Sequence, residues 1–151
     1  MSFLTALRCT ASALTAQRLR MDVISSNIAN ADTTRTIDGG PYRRHAVVFR
    51  AGQQAMPFQS LLARFRSQSL VDTQSSGVTV SNIVVDPAPG RQVYDPAHPD
   101  ANAEGFVEYP NVDIVTEMTD LVSASRAYEA NITVANALKS MAMKALDIGK
   151  V

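Results

Sequence analysis

Residues 113–148 read DIVTEMTDLVSASRAYEANITVANALKSMAMKALDI, 36 positions without proline or glycine. At 1.5 Å per residue a helix of that length is about 54 Å long, several times the usual extent of a helix in a globular domain. Ile114, Met118, Leu121, Ser125, Tyr128, Ile132 and Ala135 recur at steps of four and three. Ala142 and Leu146 resume the stripe after Lys139 breaks it, and Leu138 and Met141 lie beside it. That spacing places the apolar side chains on one helix face. Asn111 or Asp113 can cap the start behind Pro110, Glu117 and Asp120 suit the positive end of the dipole, and Gly149 marks the stop. A helix this long needs a lengthwise partner.

The other terminus supplies a candidate. Residues 3–31 also lack proline and glycine, and Leu4, Leu7, Ala11, Leu14, Met21 and Ile28 form a second near-heptad stripe, with Arg18 and Ser25 at the interrupted positions. The polar run from Asn27 to Thr34 favours a helix end and a turn. Between the termini, residues 35–110 hold all seven prolines and six of the seven glycines. Within this zone Tyr42 to Arg50 and Val78 to Val85 have strand composition. Across the turn signal Asp86-Pro-Ala-Pro-Gly90, Arg91 to Tyr94 is the expected hairpin partner of Val78–Val85. Residues 51–77, rich in Gln, Ser and Arg, are expected to be irregular, and Phe106 to Tyr109 to form a last short strand.

The expected fold is therefore α+β: an N-terminal helical segment over 1–34, a β-rich central domain over 35–110, and a long C-terminal helix over 111–151. The two helices are expected to fold back as an antiparallel, coiled-coil-like hairpin. Two helices cannot bury two wide apolar faces on each other alone, so neighbouring copies are expected to complete the core.

Composition narrows the function classes. The 151 residues carry 14 Lys+Arg against 14 Asp+Glu, a formal charge of zero. Residues 1–75 contain nine arginines and four acids, whereas residues 76–151 contain five bases and ten acids. A neutral chain lacks the basic footprint of a nucleic-acid binder and has no net repulsion to keep copies apart. The single cysteine, Cys9, excludes an intrachain disulfide and a cysteine-based zinc cage. No stretch is apolar for long enough to span a bilayer.

Candidate chemistry is sparse. His98, between Pro96 and Pro99 with Asp95 and Asp100 nearby, is the one place for a metal or acid/base site, but two distant histidines fall short of a three-ligand set. Nucleotide-loop, nucleophile-elbow and zincin motifs are absent. Tyr42-Arg43-Arg44-His45 is a small basic and aromatic patch, read here as a strand edge guarded by charge. The acid-poor, Arg-containing start also fits a cleaved transit peptide as an alternative, whereas Arg8 interrupts the apolar core that a secretory signal needs.

The run Leu14-Thr-Ala-Gln17-Arg-Leu-Arg20-Met21-Asp-Val-Ile24-Ser-Ser-Asn27-Ile-Ala-Asn30-Ala-Asp-Thr33-Thr34 resembles the N-terminal signature of bacterial flagellar rod and hook proteins. Asn111 to Met118, followed by Ser123-Ala-Ser-Arg126-Ala-Tyr128-Glu129-Ala-Asn131, resembles their C-terminal signature. The segment Val93 to Ala101, with Gly105-Phe106-Val107 and Tyr109-Pro-Asn-Val112, narrows the resemblance to proximal-rod members.

The resemblance implies a non-enzymatic structural subunit of the flagellar basal body, without cofactor or metal, in the periplasm-spanning rod. It implies terminal helices packed as an inner layer with the central domain outside. It also implies export through the flagellar type III apparatus without a cleaved signal. The implied partners are other copies and other rod and basal-body subunits, with neither nucleic acid nor direct membrane anchoring. The expected assembly seam is Leu4, Leu7, Leu14, Met21 and Ile28 with Ile114, Met118, Leu121, Tyr128, Ile132 and Leu138. The residues that carry the resemblance are Gln17, Arg20, Asn27, Asn30, Thr33, Thr34, Arg126, Tyr128, Glu129 and Asn131.

Overall fold

A computed structural model describes residues 3–37, 39–53 and 75–149. Helix α1 spans Phe3–Ala29 and helix α2 spans Ile114–Ile148. Between them lie β1 (His45–Gln53), β2 (Ser75–Val85), β3 (Arg91–Tyr94) and β4 (Phe106–Tyr109). The fold class is α+β. No described helix is long and apolar enough to cross a membrane.

The strands form two separate antiparallel pairs, β1 with β2 and β3 with β4. This corrects the expected hairpin between Val78–Val85 and Arg91–Tyr94. With a proline on each side of Ala88 the link is stiff, and β2 runs back along β1, pairing His45 with Val85 and Ala51 with Val78. The expected strand over Tyr42–Arg50 begins three residues later, because Tyr42, Arg43 and Arg44 send their side chains into other contacts. Residues 51–53 and 75–77 are strand rather than irregular, and the remainder of that expectation, 54–74, lies outside the described residues.

The ribbon of β1 and β2 packs on α1. Gly77 has φ +98, and a Cβ there would collide with the Ser12 hydroxyl, so glycine lets the strand touch the helix. Helices α1 and α2 meet with their numbering in opposite senses, Asn27 contacting Glu117 and Arg20 contacting Asp120. The buried apolar residues among those described are few: Ala16, Ile24, Ala31, Val107 and Ala124.

Asp113 is the N-cap of α2, accepting from the Val115 N–H at 3.2 Å and from the Thr116 hydroxyl. The Thr116 hydrogen bond, then that of Val115, holds its carboxyl below the ordinary 3.8. A lowered native pKa means that the cap contributes stability above the unfolded value and loses it as pH falls through the native one. Helix ellipticity of the wild type is expected to fall below about pH 4, and Asp113→Ala to remove that part of the acid transition, as followed at 222 nm.

Candidate functional site

The centre of the molecule is a polar joint on the Asn27 side chain, which is 0% exposed. Its Nδ2 donates to the His45 carbonyl at 2.9 Å and to Glu117 Oε2 at 3.0 Å. Its Oδ1 accepts from the Tyr42 hydroxyl at 2.9 Å and from the His45 N–H at 3.0 Å. A carboxamide offers two donors and two acceptor lone pairs, so every one of its positions is filled. Glu117, also 0% exposed, accepts from Arg44 Nε at 2.6 Å on its other oxygen. Arg44 reaches Asp120 at 3.7 Å and Arg20 reaches the same carboxylate at 3.2 Å. The Arg44 N–H donates to Asn111 Oδ1, and His45 Nδ1 lies 2.9 Å from the Tyr42 oxygen. Since the Tyr42 proton goes to Asn27, the histidine donates there. The joint thus locks α1, α2, β1 and the approach to α2 in one register.

Arg43 and Arg44 are therefore not a charge-guarded strand edge. Arg43 binds Glu108 at 3.2 Å and the Ala88 carbonyl, bracing β4 and the turn after β2. The approach to α1's end is also tied down. Asn30 bonds the Ser26 carbonyl and receives the Thr33 hydroxyl, while Thr34 donates to Asp100 at 2.8 Å. His98 Nδ1 accepts from the Asp100 N–H, and Asp95 accepts from the Ala97 N–H. These groups hold their own loop. Among the described residues no three His, Cys, Asp or Glu side chains are grouped closely enough to share a metal ion.

A second element is the contrast between helix faces. On α2, Glu117, Leu121, Ala124, Tyr128, Asn131, Ala135, Leu138 and Ala142 are buried or half-buried at alternating steps of four and three. On α1 the corresponding positions are Thr10, Ala13, Gln17, Arg20, Ile24 and Asn27. These stripes consist mainly of small and polar residues. The expected seam divides: Leu4 is 67% exposed and Met118 55%, with Leu7, Ile114 and Ile132 also exposed, whereas Leu121, Tyr128 and Leu138 belong to the buried stripe of α2. Leu14, Met21, Ile28, Leu121, Tyr128 and Leu138 are half-buried. Arg126 and Glu129 point to solvent, and Asn131 donates to the Ala127 carbonyl in its own helix.

The residues missed from sequence are Tyr42, Arg44, His45, Asn111 and Glu117 as one cluster. Their only signal was polarity close to two helix ends.

With this geometry in place, comparison with known proteins is specific. The family profile described as "Flagella basal body rod protein" matches residues 7–35, and that described as "Flagellar basal body rod FlgEFG protein C-terminal" matches residues 103–148. Over nearly its whole length the chain is similar to the flagellar basal-body rod protein FlgC of Bacillus subtilis, with 53% identity over 95% of this chain and 96% of that protein. The chain belongs to the flagellar basal-body rod protein family. This rod-family chain is also 47% identical to FlgC of Borreliella burgdorferi, over 98% of each chain. It is 41% identical to FlgC of Salmonella typhimurium, over 99% of this chain and 100% of that protein. Each profile match takes in one of the helices that meet at the joint, one containing Asn27 and the other Glu117.

Asn27→Ala is expected to destabilise the chain by about 3 kcal/mol, because it takes one buried partner from a Glu117 oxygen and from the Tyr42 hydroxyl and leaves the His45 N–H and C=O without theirs. Denaturant unfolding measures this. Met118→Ala, on the exposed stripe, is expected to cost under about 0.5 kcal/mol in the same assay.

Proposed function

We propose that this chain is a structural, non-enzymatic subunit of the proximal rod of the flagellar basal body, joined to its neighbours through the terminal helices. The observation that carries the proposal is the apolar flank beside each buried stripe, exposed at Leu4, Leu7, Ile114, Met118 and Ile132 and half-buried at Leu14, Met21 and Ile28. The helices form an antiparallel, coiled-coil-like hairpin through the small and polar stripe. The larger apolar residues make the seam with other rod subunits.

The geometry of a right-handed helix supports this division. Leu14, Met21 and Ile28 each follow a residue of the inner stripe by one position, as do Met118 and Ile132. One residue is about 100° of rotation, in the same sense on both helices. In an antiparallel pair, equal rotations from the shared contact bring both flanks to the same side. The hairpin then has one composite apolar face, as a building block requires. Head-to-tail contacts between unlike faces extend into an open helical array rather than a closed ring, and many such contacts in parallel transmit torque. With so small a buried core, the helices gain their full order on assembly.

The partners are other copies and other rod and basal-body subunits, at the periplasm-spanning rod, reached through the flagellar type III export apparatus without a cleaved signal. The intact mass of the chain from purified basal bodies tests the last point, because a cleaved presequence would remove residues 1 to about 20.

The seam is tested by Leu7→Ser combined with Met118→Ser. The double variant is expected to match the wild-type unfolding midpoint yet fail to restore swimming to a strain lacking the chain. Swimming at the wild-type level would sink the seam assignment. Circular dichroism of the purified chain at micromolar concentration is expected to show less helix than α1 and α2 contain, and full cooperative helicity would refute ordering on assembly.

A further inference from the structure

The outer edge of β2 is the feature that the terminal-helix seam leaves unused. Ser75–Val85 contains no charged residue and no proline, and Val78, Thr79, Val80, Ile83, Val84 and Val85 are β-branched. Residues 81–85 are exposed at every position, whereas their β1 partners His45, Ala46 and Val47 are half-buried. Soluble chains guard such an edge with lysine, proline or a bulge. Here register shifts lie between Val48 and Phe49 and between Ala51 and Gln53, and the segment beyond the first, Asn82–Val85, pairs in step with His45–Val48.

The direction of the backbone groups follows from two contacts. The Asp86 N–H donates to the Arg44 carbonyl at 2.8 Å, so it points toward β1. Alternation along an antiparallel strand then turns the N–H and C=O of Val85 and Ile83 outward. His45, opposite Val85, agrees: both its backbone groups go to Asn27 rather than into the ladder. At the other end of the same edge α1 takes over, because the Val78 N–H donates to Ser12 Oγ at 3.0 Å. No described residue takes the outward groups of Ile83 or Val85.

We propose that the outer edge of β2 at Ile83–Val85 receives an extended, uncharged strand of a neighbouring rod subunit, which adds a third strand to the ribbon. Ladder hydrogen bonds select an extended backbone, and the apolar side chains on both faces disfavour a charged one. The contact joins unlike segments. Pairing β2 with β2 of a second copy closes on a two-fold axis, which an open array does not contain. This inference rests on the rod-subunit reading and adds a second contact outside the helices.

Ile83→Pro tests it, because proline at an outward N–H removes a donor for the incoming strand without removing a bond to β1. Ile83→Thr keeps both the donor and the β-branch. The Ile83→Pro chain is expected to keep the wild-type melting temperature and to lower swimming of a strain lacking the chain on the order of tenfold, whereas Ile83→Thr restores it. Wild-type swimming by the proline variant would overturn the proposal.

Should the proline lower the melting temperature, a photoreactive amino acid at Val84 of the full chain in swimming cells decides. A crosslink to an extended segment of another rod subunit supports the proposal. No crosslink, crosslinks within the chain only, or β2 to β2 between two copies would each overturn it. Failure of the wild-type chain to restore swimming would instead refute the rod-subunit reading itself.

Discussion

The Asn27 carboxamide sets the register of everything else in this chain. It reaches α2 through Glu117, β1 through both backbone groups of His45, and the loop before β1 through Tyr42. Apolar contacts among alanines tolerate sliding by a turn, since one small residue replaces another at the same spacing. A carboxamide with four filled hydrogen-bonding positions does not, because a shift strands a buried carboxylate as well as the amide. Glu117 in turn depends on Arg44, whose Nε donates to its second oxygen. Removal of one partner from such a pair leaves an uncompensated buried charge, which costs more than the pair contributes.

That polar centre has a consequence for packing. The helix contact within the chain uses Ala13, Gln17, Ala124, Asn131 and Ala135, and the buried apolar side chains are few and mostly small. The larger ones, Leu4, Leu7, Ile114, Met118, Ile132 and Leu146, stand on the surface. In a self-sufficient domain this distribution would be inverted, because burying a leucine is worth about 2 kcal/mol and burying an alanine far less. The chain places specificity inside, where few partners must be found, and apolar area outside, where the proposed seam uses it.

Much of this was legible in the sequence. The two long helices follow from runs free of proline and glycine, and Asp113 and Gly149 bound α2 as their positions suggest. The inner stripe was legible only in part: Leu121, Tyr128, Ala135 and Ala142 stood in the periodic pattern and Glu117, Ala124 and Asn131 did not, for a physical reason. Periodicity weighted by side-chain size finds Met118 and Ile132, whereas the contact is made one residue earlier by Glu117 and Asn131. A glutamate in the first turn of a helix reads as a dipole partner, and only the arrival of Arg44 from a distant strand makes it a buried ligand. Likewise Arg43 and Arg44 read as a surface patch because the acids that bind them, Glu108 and Glu117, lie more than sixty residues away. The β pairing failed for a related reason: local turn signals favour neighbours, and β2 pairs instead across residues 54–74.

The uneven charge of the two halves finds its use in the same contacts. Arg20, Arg35, Arg43 and Arg44 belong to the basic half, and their partners Asp120, Asp100, Glu108 and Glu117 to the acidic half. Every one of these pairs therefore closes the chain on itself, tying the first helix and its following loop to the last third of the sequence. Most are partly exposed and contribute little stability each, so their value lies in direction: like charges would meet in any alternative pairing of the halves. Once they are formed, the seam residues are left on a surface with few charges committed to neighbours. The seam proposed above is then chiefly apolar, insensitive to salt and short in range. Electrostatics selects the pairing within the subunit, and the proposed seam leaves assembly to hydrophobic burial.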